Sequence, residues 1–450
     1  MPIQVGFLRH IPRYTSVSEY IVTNASPVGV DGDDGSAVDI EISDGRIDRI
    51  VPAGDGDPST FEESRRFDAN GRLVSPPLVE SHTHLYAALT AGIPRWNQTG
   101  TLEEGWRLWN ETKDELTKAD YKRRAKKVAR WFAANGVTRV RTHIDVNSND
   151  QVFEGIEAMI EVREELEGFV DIQIVAFPMG CLHTGDEAFL ERFERSLEMG
   201  LDVVGGIPHR EHIGEDGADH VRTVLDMAEK FDRQADLHID ETDDPGSRNT
   251  GVLASETLKR GLGSRVTASH TTALHSYPNA YADKLVRLMG ESGLNVVTNP
   301  MANAVLQGRY DDYPRRRGHT RIDELREQGV TVGIGQDDIV DHFNSYGDGD
   351  PLKAAFVLVH YAHMNGKEDA GVLWNMLLEG NAEVFGVDDY GLEEGNEGSL
   401  VVYDAADPFD ALRTQPVRPL VLRDGEPIAR SERSSVVHQD GEEVTVDFGR

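Results

Sequence analysis

The sequence predicts an α/β fold: a (β/α)8 TIM barrel with a small β domain formed by both chain ends. Three features predict it. Between about residue 73 and residue 340, eight short β-rich runs alternate with helical stretches. The helical stretches repeat apolar residues three and four positions apart, and several close on a glycine before the next run. The two ends of the chain share a different texture, rich in Gly and Asp around short alternating runs.

In chain order the strand-like runs are "RLVSPPLVESHTH", "VTRVRTHIDV", "VDIQIVAFP", "LDVVGGIPH", "QADLHID", "SRVTASHTT", "LNVVTNP" and "VTVGIGQDD". Between them lie amphipathic segments such as "ADYKRRAKKVARWFAANG", "QVFEGIEAMIEVREELEG", "DEAFLERFERSLEMG" and "ADHVRTVLDMAEKFDRQ". An open doubly wound sheet is the competing architecture, but no run leads into the glycine-rich dinucleotide fingerprint of such sheets. Residues 1–72 ("AVDIEISDGRIDRIV") and 386–450 ("GSLVVYDA", "PLVLRDGEPIA", "EEVTVDFG") supply the two parts of the small β domain, around a barrel spanning 73–385. A chain of 450 residues has room for both and for a buried active site.

Composition narrows the chemistry. The single cysteine, Cys181, excludes an internal disulfide framework and any multi-cysteine zinc site, including the H-x-E…P-C-x-x-C nucleotide deaminases. It has no basic neighbour in sequence to activate it as a nucleophile. A formal net charge of −33 argues against nucleic acid or an anionic membrane as partner, because a phosphate backbone is repelled. The acidic residues are dispersed, and with only about ten lysines among 46 basic residues the composition resembles that of salt-loving organisms. No apolar run approaches the ~20 residues needed to cross a bilayer. The opening "MPIQVGFLRHIPRYTSVSEY" lacks the pattern of a secretory signal, so a cytoplasmic protein is expected. The basic run "YKRRAKK" falls on an outer helix and reads as a solvated face.

In a TIM barrel the active site gathers at the C-terminal ends of the strands, and there the polar residues of this chain fall. Strand one ends in His82 and His84, which share a face; strand five carries His238, Asp240 and Glu241; strand six ends in His270, and strand eight in Asp337 and Asp338. Histidine and carboxylate are the only ligand set open to a metal here, and His82, His84, His238 and Asp337 are assigned to one divalent ion. Such an ion makes water a nucleophile near neutral pH, able to attack a carbon that bears a nitrogen leaving group. The departing nitrogen needs a proton, and Glu241 is the general acid assigned. His270 would polarise the developing oxyanion or orient the water, and Asp337 would take the water's proton. The loop "PRWNQTG" is expected to cover the site with Trp96 and Gln98, Trp96 giving an aromatic face for a flat ring. His209, ending strand four, is expected to reach the substrate.

This combination resembles the amidohydrolase superfamily, and most of all its cytosine deaminase branch. The likeness runs over nearly the whole chain, from "DGRI" and "LVSPPLVESHTHL" through "AGIPRWNQTGTLEEG", "ANGVTRVRTHIDV", "DIQIVAFP", "DVVGGIPH", "HIDETDD", "RVTASHTTALHSY" and "QGRYDDYPRRRG" to "GQDD". The resemblance implies one iron or zinc ion, hydrolytic deamination of an amino-pyrimidine and assembly into homo-oligomers. It implies that Glu241 passes a proton to the ring nitrogen, that His270 and Asp337 activate water, and that Asp338 lines the pocket. No lysine ends strand four in "VVGGIPH", so a carbamylated-lysine bridge between two metals is not expected.

Three positions depart from that branch. Met179 stands after "AFP" where a glutamine typically reads the pyrimidine edge, Tyr86 follows H-x-H-L where aspartate is common, and Gln336 precedes the paired aspartates where histidine is usual. A thioether cannot replace an amide that both donates and accepts, and an unpaired carbonyl in a dry pocket costs about 1–3 kcal/mol. Gln98, His183 or Gln336 would have to compensate, or the ring is different. The small-molecule substrate expected is cytosine; the alternatives are another amino-pyrimidine, an amino-substituted triazine resembling N-isopropylammelide, a cyclic amide, or a barrel that binds without turnover.

Overall fold

The computed structural model describes residues 19–28, 36–147, 152–440, 442–446 and 448–449. Residues 1–18, read above as lacking a secretory leader, lie outside them. Eight parallel strands form one sheet in strict chain order: β1 (Leu78–Thr83), β2 (Val137–Val146), β3 (Asp171–Pro178), β4 (Val203–Gly206), β5 (Gln234–Ile239), β6 (Val266–His270), β7 (Asn295–Thr298) and β8 (Val332–Ile334). The sheet closes where Thr83, ending β1, bridges Asp337, just past β8. The Asp337 N–H donates to the His82 carbonyl (2.8 Å), and the Asp337 carbonyl accepts from the Thr83 hydroxyl (2.8 Å) and the His84 N–H (3.2 Å). Glu80 fastens the same seam, its Oε1 accepting from the N–H groups of His82 and Gln336, each at 3.0 Å.

Helices return the chain between strands, among them Lys118–Ala134, Val152–Leu166, Glu187–Glu198, Gly214–Phe231, Asn249–Arg260 and Asn279–Ser292. Their boundaries carry local signals. Thr117 and Asp120 form a capping box at the start of Lys118–Ala134, and Gly261 and Gly293 adopt left-handed φ of 66° and 69° at two C-termini. The buried faces of the helices pack on the sheet as one continuous apolar core. Among the described residues, no helix is long and apolar enough to cross a membrane.

The second sheet draws on both chain ends. Its order is Glu426–Ala429, Leu420–Arg423, Leu400–Val402, Leu73–Ser75, Tyr20–Pro27, Val38–Ser43 and Arg46–Pro52, with Arg66–Asp68 beside Tyr20–Pro27. It encloses its own apolar cluster, including Tyr20, Val22, Ile40, Val74, Leu400 and Leu422. The run "RLVSPPLVESHTH", read as one strand, is two. Leu73–Ser75 pairs in the small sheet, and β1 starts only after Pro76 and Pro77, which have no N–H to offer a ladder.

At the heart of the barrel Arg141 of β2 is fully buried. It donates to Asp236 Oδ2 (3.1 Å), Gln173 Oε1 (2.6 Å) and the Val384 carbonyl (2.7 Å). Removing the guanidinium leaves the Asp236 carboxylate charged and dry. Arg141→Ala is expected to lower unfolding free energy by about 3–5 kcal/mol in denaturant titration. Arg49→Ala, which breaks the exposed pair with Glu41, is expected to cost under about 1 kcal/mol. Similar losses in the two variants would refute the role given to the buried pair.

Candidate active site

The histidines predicted from strand ends converge. His82 and His238 face each other through Nε2 at 3.2 Å, His84 and His238 through Nε2 at 3.1 Å, and Asp337 Oδ1 lies 3.0 Å from His84 Nε2 and 3.5 Å from His82 Nε2. All four residues are buried. Two imidazole nitrogens in contact gain nothing from one another unless a proton or a cation lies between them. These separations match the about 3.3 Å expected between tetrahedral ligands held about 2.0–2.1 Å from one ion.

The tautomers fit as well. The Ser269 hydroxyl donates to Asp236 Oδ1 (2.7 Å), so its oxygen accepts from His82 Nδ1 (3.0 Å), leaving the His82 Nε2 lone pair to face the cluster. Burial holds His84 and His238 below the usual imidazole range, so both are neutral and able to coordinate. Phe177, at the end of β3, stacks on the His238 ring at 4.2 Å between centroids and fixes its plane.

Beside the cluster lies a second buried group: His270 Nδ1 is 3.8 Å from Glu241 Oε1 and 3.8 Å from Asp337 Oδ2. Burial, reinforced by the charge of Asp337, raises the Glu241 carboxyl well above its ordinary range and favours its protonated form. Asp337 is held far below the usual carboxylate range, against its burial, by His270, His82 and His84. Burial lowers His270 to about 3, a neutral imidazole. Its Nδ1 lies 3.0 Å from Asn303 Nδ2, and Asn299 Nδ2 approaches the ring at 3.3 Å. Asp337 and His270 hold left-handed φ of 63° and 71°, conformations that cost non-glycine residues about 1–3 kcal/mol and cluster at functional positions.

These groups open on a small cavity of about 30 Å³, walled by Leu102, Trp106, Phe177, Met179, Ile207, Leu306 and Phe343, with Tyr86 and Asp338 as further polar contributors. Asp338 hydrogen-bonds to Asp341, and burial together with neighbouring carboxylates raises both, Asp341 to about 7. Met179 and Asp338 therefore line the pocket as expected from the sequence. Trp96, Gln98 and His209 do not. The 93–101 loop turns back on Glu104, whose carboxylate accepts from the N–H groups of Gln98 and Thr99, so Trp96 faces outward, 54% exposed. Trp106 supplies the aromatic wall instead. His209 lies in the turn Pro208–Arg210 that follows Ile207.

Several residues escaped sequence reasoning. His143 of β2 packs 4.2 Å from His82 between ring centroids, and its Nε2 is 4.0 Å from Asp236 Oδ1. The signal was present: Arg141, His143 and Asp145 alternate along one face of β2 and are all buried. Ser269, Asn299 and Asn303 gave no signal, because their value lies in contacts across strands. Asp240 turns away from the site and caps the helix Asn249–Arg260 through the N–H groups of Asn249 and Thr250.

A model of the amidohydrolase family matches residues 87–429. The chain belongs to that family. It is 38% identical to 5-methylcytosine deaminase from Klebsiella pneumoniae, crystallised with 5-fluorocytosine; the superposition covers 93% of this chain and 99% of that one with a TM-score of 0.87. It is 30% identical to N-isopropylammelide isopropylaminohydrolase from Burkholderia multivorans, covering 92% and 98% at a TM-score of 0.77. A pterin deaminase of Rhizobium rhizogenes is 27% identical over 399 residues, 87% of this chain and 88% of that protein. As an amidohydrolase the chain is a hydrolase acting on carbon–nitrogen bonds other than peptide bonds.

His209 gives a test of the buried neutral imidazoles. Burial holds it at about 4, against 6.5 for an exposed histidine. Between those values the unfolded chain binds a proton there that the folded chain does not, so stability falls as pH drops through the window. His209→Gln is expected to flatten that fall between pH 6.5 and 4 by up to about 1.4 kcal/mol per pH unit, read from denaturant titrations at fixed salt. An unchanged slope would mean that His209 is not held neutral.

Proposed function

We propose that the chain is a mononuclear metal-dependent deaminase of a nitrogen heterocycle, acting on a 4-amino-2-oxopyrimidine: cytosine or a 5-substituted cytosine. The observation that carries it is the buried Glu241–His270–Asp337 group at the head of the histidine cluster, where one carboxyl is protonated and another ionised within reach of the same imidazole. The 38% identity to a 5-methylcytosine deaminase supports the ring class. His82, His84, His238 and Asp337 would hold one iron or zinc ion. When bound, that ion supplies Lewis-acid chemistry that brings a water toward ionisation near neutral pH.

The chain's own residues divide the remaining work. Glu241 gives its proton to the ring nitrogen as water adds to the carbon bearing the amino group. His270, neutral, is placed to orient the attacking water. Asp337, ionised, accepts the water's proton and passes it to the amino group; the carbon–nitrogen bond breaks, ammonia leaves, and the hydroxyl left on that carbon gives its proton back to Glu241 as the new carbonyl forms. The apolar walls exclude bulk water, which strengthens these contacts. The 30% identity to an N-isopropylammelide hydrolase keeps that triazine as the rival substrate. The expected homo-oligomer, cytoplasmic location and salt-adapted setting belong to the same proposal.

Release of ammonia from cytosine and 5-methylcytosine, and of isopropylamine from N-isopropylammelide, measured at high salt, discriminates these rings; no turnover of any of them would refute the proposal. Glu241→Gln is expected to keep one metal per chain yet cut ammonia release by about 10²–10⁴-fold, and near-normal turnover would remove Glu241 from the mechanism. Ser269→Ala is expected to weaken metal affinity about 10–100-fold in chelator competition, because the His82 tautomer is no longer held. Unchanged affinity would count against the ligand set.

A further inference from the structure

Two of the three departures from the cytosine deaminase branch meet in space. The Tyr86 hydroxyl donates to Met179 Sδ at 3.3 Å on the pocket wall. Neither residue's side chain is explained by the chemistry assigned above.

The groups that could have replaced a ring-reading amide are committed elsewhere. Gln336 Nε2 donates to the Asp350 carbonyl (2.9 Å), Gln98 Nε2 lies 3.4 Å from the Trp96 carbonyl on the exposed loop, and His183 sits 39% exposed beside Asp219. Of the polar groups lining the pocket, Glu241, His270 and Asp337 face the reaction and Asp338 is bonded to Asp341. Tyr86 remains. Its ring is wedged edge-on between His84 (5.6 Å, 77°) and Trp109 (4.8 Å, 76°), and Arg124 Nη1 holds its carbonyl at 2.8 Å. Its hydroxyl is the donor in the contact with Met179. A thioether is a weak acceptor, and a hydroxyl resting on one gains by exchanging it for a carbonyl oxygen.

We infer that the Tyr86 hydroxyl reads the exocyclic carbonyl oxygen of the substrate ring, leaving Met179 Sδ to do so, and that this pair sets ring specificity in place of an amide. Toward a carbonyl oxygen Tyr86 donates its proton in exchange for the weak thioether bond; toward an amino group at the same position its oxygen can only accept, with the proton left on Met179 Sδ and no such exchange. The pocket therefore selects 2-oxo rings over 2-amino rings. This rests on the deaminase reading of the site.

The test uses the metal-loaded full chain and two rings without a leaving amine at the reacting carbon, 2-pyrimidinone and 2-aminopyrimidine, which carry an oxygen and an amino group at the position read by Tyr86, with Kd measured by calorimetry. Tyr86→Phe is expected to weaken 2-pyrimidinone about 10–100-fold and to move 2-aminopyrimidine less than about twofold, with kcat/KM for cytosine falling in step with the first. Met179→Leu, which removes the hydroxyl's resting acceptor and fills the same space, is expected to tighten 2-pyrimidinone about two- to tenfold. Equal shifts for both rings, no shift in Tyr86→Phe, weaker binding in Met179→Leu, or wild-type protein that binds neither ring would each overturn the inference. Wild-type protein that binds 2-pyrimidinone through Tyr86 but releases no ammonia from cytosine would refute the deaminase reading alone.

Discussion

Asp236 is the constraint on which the site rests. Fully buried in β5, it is paired through one oxygen with Arg141 (3.1 Å) and accepts through the other from Ser269 (2.7 Å), whose own oxygen receives His82 Nδ1 (3.0 Å). A carboxylate without water costs several kcal/mol unless such partners satisfy it. The chain therefore commits β2, β5, β6 and β1 to one register, because a slip of one residue would reverse every inward side chain and strand the charge. The orientation of the first histidine follows from that register.

The second constraint is closure. Asp337 carries the seam between the last strand and the first through its backbone, and it turns its carboxylate into the histidine cluster through the same residue's left-handed φ. The fold and the site thus share atoms. Closing the barrel brings His82 and His84 to Asp337 without a separate loop to position them, and Glu80, held by two N–H groups across the seam, keeps the two strand ends level. Burial raises that carboxyl to about 8, so Glu80 completes the seam as a neutral group and adds no second negative charge beside Asp337.

Much of this was legible before the structure. The alternation of strands with amphipathic helices is a local pattern, and the clustered histidines and Asp337 sit at strand ends that chain order alone brings to one mouth. What was not legible depended on how chain segments fold back. Trp96 and Trp106 are ten residues apart in the same stretch, and nothing in composition says that the Glu104 carboxylate will gather the loop and face Trp96 outward. The double proline at 76 and 77 did carry a readable break, since two residues without N–H cannot continue a ladder. Ser269 and Asn303 are small polar residues among many, and only the partner across the barrel gives them meaning. The Tyr86–Met179 contact joins the ends of β1 and β3, so two changes that look independent along the chain are one local environment in space.

The electrostatics of the mouth sort carboxyls by role without altering their chemistry. Glu241, Asp338 and Asp341 are raised by burial and by the charge of Asp337, while Asp337, beside the rings of His270, His82 and His84, is lowered. Had all four been equally buried and equally surrounded, like-charge repulsion would have left no stable pattern of protonation. Placing the histidines around one member breaks that symmetry, so the same cluster that can hold a cation also sets Asp337 apart from Glu241, three positions beyond His238. The two carboxyls are thus set apart by geometry that the barrel's closure already requires, and the Tyr86–Met179 contact takes no part in that closure.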